Sequence, residues 1–316
     1  MQNSDLRPLG AGELLDRAIT LYVRRFALIV TVLAAVIVPM GVLQALAAPN
    51  SAHAFADMAR AIGSAGDAAA SRAAADAMAR DGRMTPLTGL VIFLSAVVRL
   101  LMWSAIIATL SSAYAGTRTT IGEAYRLGLQ RWIPQALVAL SFLVIGAFAM
   151  LPVLIYYVIL VVVGIALSAL HQIVVLIVAL VAGGLILIAG ICVLAALIFM
   201  AYELAAVAVV TETANPITAI GIGLRRALAT GMKRRTIVAG LVLMLVSQAG
   251  ALPLIAIAVV LTAIAHLDAL YFAVLSVGAV LIDGLVAAFV VVYAVDVRVR
   301  REGLDIVIPE PSPIPA

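Results

Sequence analysis

Over most of its length this chain shows apolar runs, with neither the alternation of a half-buried strand nor the stripe of a soluble helix. Phe26 to Ala48 is one run and Leu87 to about Ile107 another. From Gln135 to Val210 the chain is apolar throughout, broken only by His171-Gln172, Gly183-Gly184 and Glu203. Apolar runs longer than about 18 residues predict membrane-crossing helices. The expected fold is therefore all-α, a polytopic transmembrane helix bundle.

Between the runs the pattern repeats three times. A short amphipathic basic stretch leads into an apolar run, and a proline falls near the far end of that run. The stretches are GELLDRAITLYVRRF, IGEAYRLGLQRW and ITAIGIGLRRALATGMKRR, and the prolines are Pro39, Pro152 and Pro253. In the first, Leu14, Leu15, Ala18, Ile19, Tyr22 and Phe26 recur at helical spacing, which predicts a helix lying along the membrane interface. Each proline should kink or end its outgoing helix. A second apolar stretch then returns to the basic side. Three units follow: 1–115, which includes an Ala-rich outer loop over 49–86, then 116–211 and 212–305, with an unstructured Pro-rich tail over 306–316. Two crossings per unit give six core spans. The length of 135–210 leaves open whether it holds two long broken spans or four short ones, for eight in all; either number puts both termini on one side. Within the loop, Phe55, Met58 and Ile62 suggest one short helix and residues 68–80 a second; a floppy Ala-rich linker is the equal alternative.

Composition supports this class. Apolar residues make up 65% of the chain and charged residues 11%, against roughly 25% in soluble proteins. The run Phe26–Ala48 is too long for a signal-peptide core and reads as a retained span. The single cysteine, Cys192, reads as a small buried hydrophobe, with no disulfide framework or cysteine metal motif.

Charge placement sets orientation. Basic residues cluster before the first span, at Arg118–Arg131, at Arg225–Arg235 and at the end of the last span, while the turns at His171 and His266 carry none. The positive-inside rule places those clusters and both termini in the cytoplasm. Arg24, Arg25, Arg131, Arg234, Arg235, Arg298, Arg300 and Arg301 are the residues expected to face anionic lipid headgroups. Membrane lipids, and a membrane partner protein besides, are the expected partners; nucleic acid is not.

The motifs GELLDRAITLYVRRF, TTIGEAYRLGLQRW, NPITAIGIGLRRALATG and YAVDVRVRREGLD, in this order, resemble the membrane domain associated with glycerophosphoryl diester phosphodiesterases. The resemblance covers about Leu9 to Asp305. It implies a six-helix bacterial inner-membrane protein. In some family members a soluble phosphodiesterase barrel follows the membrane domain. Here the sequence stops eleven residues after Asp305, and the barrel's metal-binding carboxylates and His pair have no counterpart, so that activity is not expected.

Three ionisable residues fall within spans: Arg99, Glu203 and Asp283, each on the returning helix of a different unit. Arg99 and Asp283 each lie about 15 residues, or ~22 Å, from the basic end of their span; Glu203 lies only about 8 residues, ~12 Å, from its own. Arg99 and Asp283 should therefore pair, with Glu203 one layer closer to the cytoplasm. Ser95 and Trp103, at i−4 and i+4 from Arg99, could supply a hydrogen bond and a cation–π contact. An unpaired arginine at the bilayer centre costs at least ~2.5 kcal/mol, so pairing inside the bundle is expected. The preferred reading is a buried structural ion pair; the other is an ion relay or a counter-charge for an amphiphilic substrate.

His53, His171 and His266 map to the outer face, but their spacing carries no metal pattern, and no metal or cofactor is expected. No phosphate-binding loop, nucleophile elbow or dinucleotide fingerprint occurs in a usable context. Gly221 and Gly223 read as helix-packing or interfacial-turn positions. The function expected is a non-catalytic membrane module that scaffolds, or binds lipid or a membrane partner. The alternative is a small transporter or lipid-handling protein that uses the intramembrane charges.

Overall fold

The computed structural model describes residues 9–47, 85–117, 119–169, 173–265 and 269–302, together with residues 69, 72 and 76. Eight helices span most of these residues: α1 (Ala11–Arg24), α2 (Phe26–Ala47), α3 (Pro86–Tyr114), α4 (Ile121–Ala169), α5 (Ile173–Thr211), α6 (Pro216–Leu228), α7 (Lys233–Ala265) and α8 (Ala269–Glu302). All of these except α1 and α6 are long and apolar enough to cross a membrane. The chain is a multi-pass helical membrane protein. A helix satisfies its own backbone hydrogen bonds, so it can enter a solvent that offers no partners.

Local chemistry explains where the helices start. Thr85 caps α3, its hydroxyl accepting from Thr88 N, with Pro86 in the first turn. Asn215 caps α6 by accepting from Ile217 N, with Pro216 following it. Thr120 and Glu123 cap α4 reciprocally. Gly10 N–H donates to Glu13 at the start of α1. Such side-chain acceptors replace the intrahelical partners that first-turn N–H groups lack. The turns before α4 and α7 use Gly116 and Gly231 at φ 80° and 81°, where a side chain would be strained.

Several expectations change. Pro39, Pro152 and Pro253 end no helix; they lie inside α2, α4 and α7. Packed neighbours can tolerate a proline within a membrane helix. The basic stretches before α2 and α7 are separate helices, but the one at 121–132 runs on into its span through Pro134 as part of α4. The long apolar segment is two unbroken helices, of 49 and 39 residues. At ~1.5 Å per residue α4 is about 74 Å long, more than twice the ~30 Å hydrocarbon core. Cys192 is exposed, not buried. Lipid is as apolar as a helix interface, so an apolar residue within a span gains no preference for the inside. In the Ala-rich loop, residues 69, 72 and 76 are helical and exposed; Phe55, Met58, Ile62, the rest of the loop and the Pro-rich tail lie outside the described residues.

The residues pack as two compact units, one of 1–132 with 246–316, the other of 133–245. In the first, α2, α3 and α8 pack together and α1 docks on α8. Leu14 and Ala18 are buried, whereas Leu15, Ile19, Val23 and Phe26 are exposed. The apolar positions of α1 are thus divided between buried and exposed. A latch closes the docking. Leu9 N–H donates to Asp296 Oδ1 at 2.7 Å, and Arg300, bound to the same carboxylate, donates to Leu9 O.

In the second unit α6 lies on α5. Gly223 makes this fit possible, because a methyl there would meet Ala201 O at 2.5 Å and Ala205 Cβ at 2.7 Å. Gly240 plays the same part between α7 and α5, against Ala196 O. Small residues that let backbones approach closely are the usual basis of helix association in lipid. Arg226 is buried and forms a fork with Glu212, at 2.7 and 2.9 Å.

Candidate functional site

The site lies in the first unit, where α2, α3 and α8 meet around a cavity of about 380 Å³. Val36, Ile37, Met40, Gly41 and Gln44 line it from α2; Ser95, Arg99 and Met102 from α3; Tyr271, Phe272, Leu275, Ser276 and Ala279 from α8. The three helices cannot close over it evenly. At Gly41 the approach of α2 to α8 is so close that a methyl would strike Ser276 Oγ. Beyond that point α2 and α3 are held by polar contacts. Gln44 Nε2 donates to Ser95 Oγ at 3.2 Å, the Ser95 hydroxyl donates to Met40 Sδ at 3.7 Å, and Thr88 donates to Ala47 O.

Arg99 and Asp283 stand near the middles of α3 and α8. Arg99 Nη2 donates to Asp283 Oδ2 at 2.7 Å. The two side chains are not equally buried. That of Asp283 is 14% exposed and that of Arg99 is 62% exposed. This departs from the buried pair expected from the sequence: the carboxylate is enclosed while the guanidinium faces the cavity with one hydrogen bond formed. Arginine carries five N–H donors, so most of its capacity remains directed at whatever fills the space.

The residues expected around Arg99 are placed as follows. Ser95 shares the cavity, but its hydrogen bonds go to α2 and not to Arg99; an interhelical amide and a thioether lie within its short reach. Trp103 is buried one turn along α3. Glu203 belongs to the second unit, where it is buried on α5. Gln135 in that unit is also buried and donates to Tyr202 at 3.4 Å.

The basic residues separate as well. Arg24, Arg234 and Arg301 are exposed, and Arg25, Arg131, Arg235 and Arg298 are partly so. Arg300 does not simply face headgroups: it binds Asp296 and Leu9 O. Arg226, in the third basic cluster, is buried against Glu212. Both exceptions have a carboxylate within one helical turn or across a short loop, a signal present in DVRVR but easily absorbed into the topology count. Among the described residues no group of three or more His, Cys, Asp or Glu side chains could hold a metal ion; His53, His171 and His266 lie outside those residues.

The pair makes a direct prediction. Arg99→Asp and Asp283→Arg should each reduce the folded, membrane-extracted yield, because each leaves two like charges facing each other mid-span. The double swap should restore it. Fluorescence-detected size exclusion reads the outcome, and a double variant as poor as the worse single one would break the pairing.

No family model, curated protein or solved structure matches the chain.

Proposed function

We propose that this protein is a non-catalytic membrane module that binds a lipid or related amphiphile between α2, α3 and α8. One observation carries the reading: a cavity between spans that is apolar along most of its wall yet presents an exposed arginine near mid-helix. In hydrocarbon an exposed guanidinium is costly unless acceptors surround it. Apolar walls with a few placed polar groups are the usual form of a small-molecule site.

The wider setting proposed is a bacterial inner membrane with both termini cytoplasmic, supported by the grouping of basic residues at alternate helix ends. The resemblance to the phosphodiesterase-associated membrane domain is proposed on the four motifs. The threefold plan gains a structural argument. Ala18, Gly128 and Gly223 each lie eight residues after the residue that starts their helical segment (Gly10, Thr120 and Asn215; 18 − 10, 128 − 120, 223 − 215), and all three are buried. A methyl at Gly128 would meet Leu101 O and Ala105, and one at Gly223 would meet Ala201 O and Ala205, the same i, i+4 footprint on the preceding span.

Lipid analysis of the purified protein tests the function. A lipid or fatty acid retained near one per chain, and enriched over the bulk membrane, is the expected result. Retention no greater than that of the bulk lipids would overturn it. A transport reading draws on the same exposed charge pair; it would be favoured instead by ion- or pH-driven flux in liposomes that Asp283→Asn abolishes.

A further inference from the structure

We infer that the cavity selects an anionic amphiphile, a carboxylate or phosphate monoester on a single chain, whose head binds Arg99. This rests on the reading of the cavity as a lipid site and adds the charge and size of its occupant.

The sign of the charge follows from how the ion pair is divided. Asp283 is enclosed and has one oxygen committed to Arg99. Arg99 faces the cavity and uses one donor at Asp283, leaving the others without a partner among the described residues. A ligand entering the cavity therefore meets N–H donors. A guanidinium fork matches carboxylate and phosphate oxygens in geometry as well as charge. A cationic head would instead meet the exposed cation first and could reach Asp283 only by displacing it.

Size follows from the volume. A cavity of about 380 Å³ is near the bottom of the ~300–1,000 Å³ range of small-molecule sites. It has room for a head and one short chain but not for both chains of a phospholipid. Ile37, Phe272 and Leu275 supply apolar wall for such a chain, and Gln44, Ser95 and Ser276 add polar groups to the lining.

Asp283 then has a second role. It holds Arg99 in place and, being anionic, opposes an anionic head. The two partners of one ion pair should therefore affect binding in opposite directions, which a purely structural pair would not do.

Trp103 provides the readout, since it lies one turn, ~6 Å along the axis, from Arg99. Trp132 is the only other tryptophan, so Trp132→Phe isolates the signal. The full chain, in nanodiscs of zwitterionic phospholipid, is titrated with chain-brominated decanoate, decyl phosphate and decyltrimethylammonium. Saturable quenching by decanoate, decyl phosphate or both is expected, and the tighter of the two identifies the head group. Arg99→Gln should weaken it at least tenfold and Asp283→Asn should strengthen it about threefold or more. Arg99→Lys, which keeps the charge, should retain part of the affinity and covers the case in which Arg99→Gln does not fold.

Tighter binding of the trimethylammonium probe, or weaker anion binding in Asp283→Asn, would overturn the anionic assignment. So would saturable quenching by all three probes that Arg99→Gln and Arg99→Lys leave unchanged, although the lipid-binding reading would survive. Quenching that never saturates with any probe would overturn both.

Discussion

Asp296→Ala should destabilise the protein by about 3–5 kcal/mol, the usual cost of breaking a buried, hydrogen-bonded ion pair. The Asp296 side chain is fully buried, and its contacts with Leu9 and Arg300 bear on the docking of α1. It accepts Leu9 N–H from the segment that leads into α1, and it holds Arg300, whose guanidinium continues to Leu9 O. Truncation removes the acceptor from a buried N–H, and it loosens a guanidinium that satisfies a carbonyl. Both losses fall on the docking of α1 to α8. Asp296→Asn keeps an oxygen of the same shape for Leu9 and loses only the charge, so about 1–2 kcal/mol is expected, the difference between charged and neutral hydrogen bonds. Thermal unfolding in detergent, followed by far-ultraviolet circular dichroism, should rank wild type above Asp296→Asn and Asp296→Asn above Asp296→Ala. Equal losses in the two variants would mean that the charge, and not the acceptor, holds the latch.

How far a sequence reaches in such a protein depends on which dimension carries the information. Depth along a span is a matter of counting residues at a fixed rise, and that count alone ranks Asp283 above Glu203 as the partner of Arg99. The lateral dimension has no such ruler. Lipid and packed protein are equally apolar, so an apolar run does not say which of its faces meets another helix. The exposure of Cys192 and of the Arg99 guanidinium both fall in that gap. So does the split face of α1, where Leu14 and Leu15 look alike in sequence but only Leu14 is buried. The basic clusters hold a detail of another kind. Counting them for topology treats all arginines alike, while Arg226 and Arg300 are held by Glu212 and Asp296. Proline allows two outcomes, a kinked helix or an ended one, and the second does not occur at Pro39, Pro152 or Pro253, which lie inside α2, α4 and α7.

Gly221 and Gly223 are indistinguishable as letters in ITAIGIGLRR, yet substitutions at the two should have opposite signs. Around Gly221 a methyl would meet nothing within 4 Å. Gly221→Ala should therefore stabilise the protein by about 0.5–1 kcal/mol, through the backbone entropy that glycine loses in a helix. At Gly223 the added carbon would meet Ala201 O at 2.5 Å and the backbone N of Ala205 at 2.8 Å. These are main-chain atoms of a span and cannot rotate away, so α6 has to lift from α5. Gly223→Ala should cost about 1–3 kcal/mol, the range for overpacking a close contact, and Gly223→Val should lie at or above the top of that range. The lifting would also draw Arg226, three residues on, away from Glu212, whose fork depends on α6 lying flat on α5. Gly223→Val should consequently cost nearly as much alone as when combined with Arg226→Met. A thermal-shift series in one detergent would show it: Gly221→Ala above wild type, Gly223→Ala below, and the last two variants lowest and close together. Full additivity of Gly223→Val and Arg226→Met would mean that the glycine contact and the ion pair hold α6 independently.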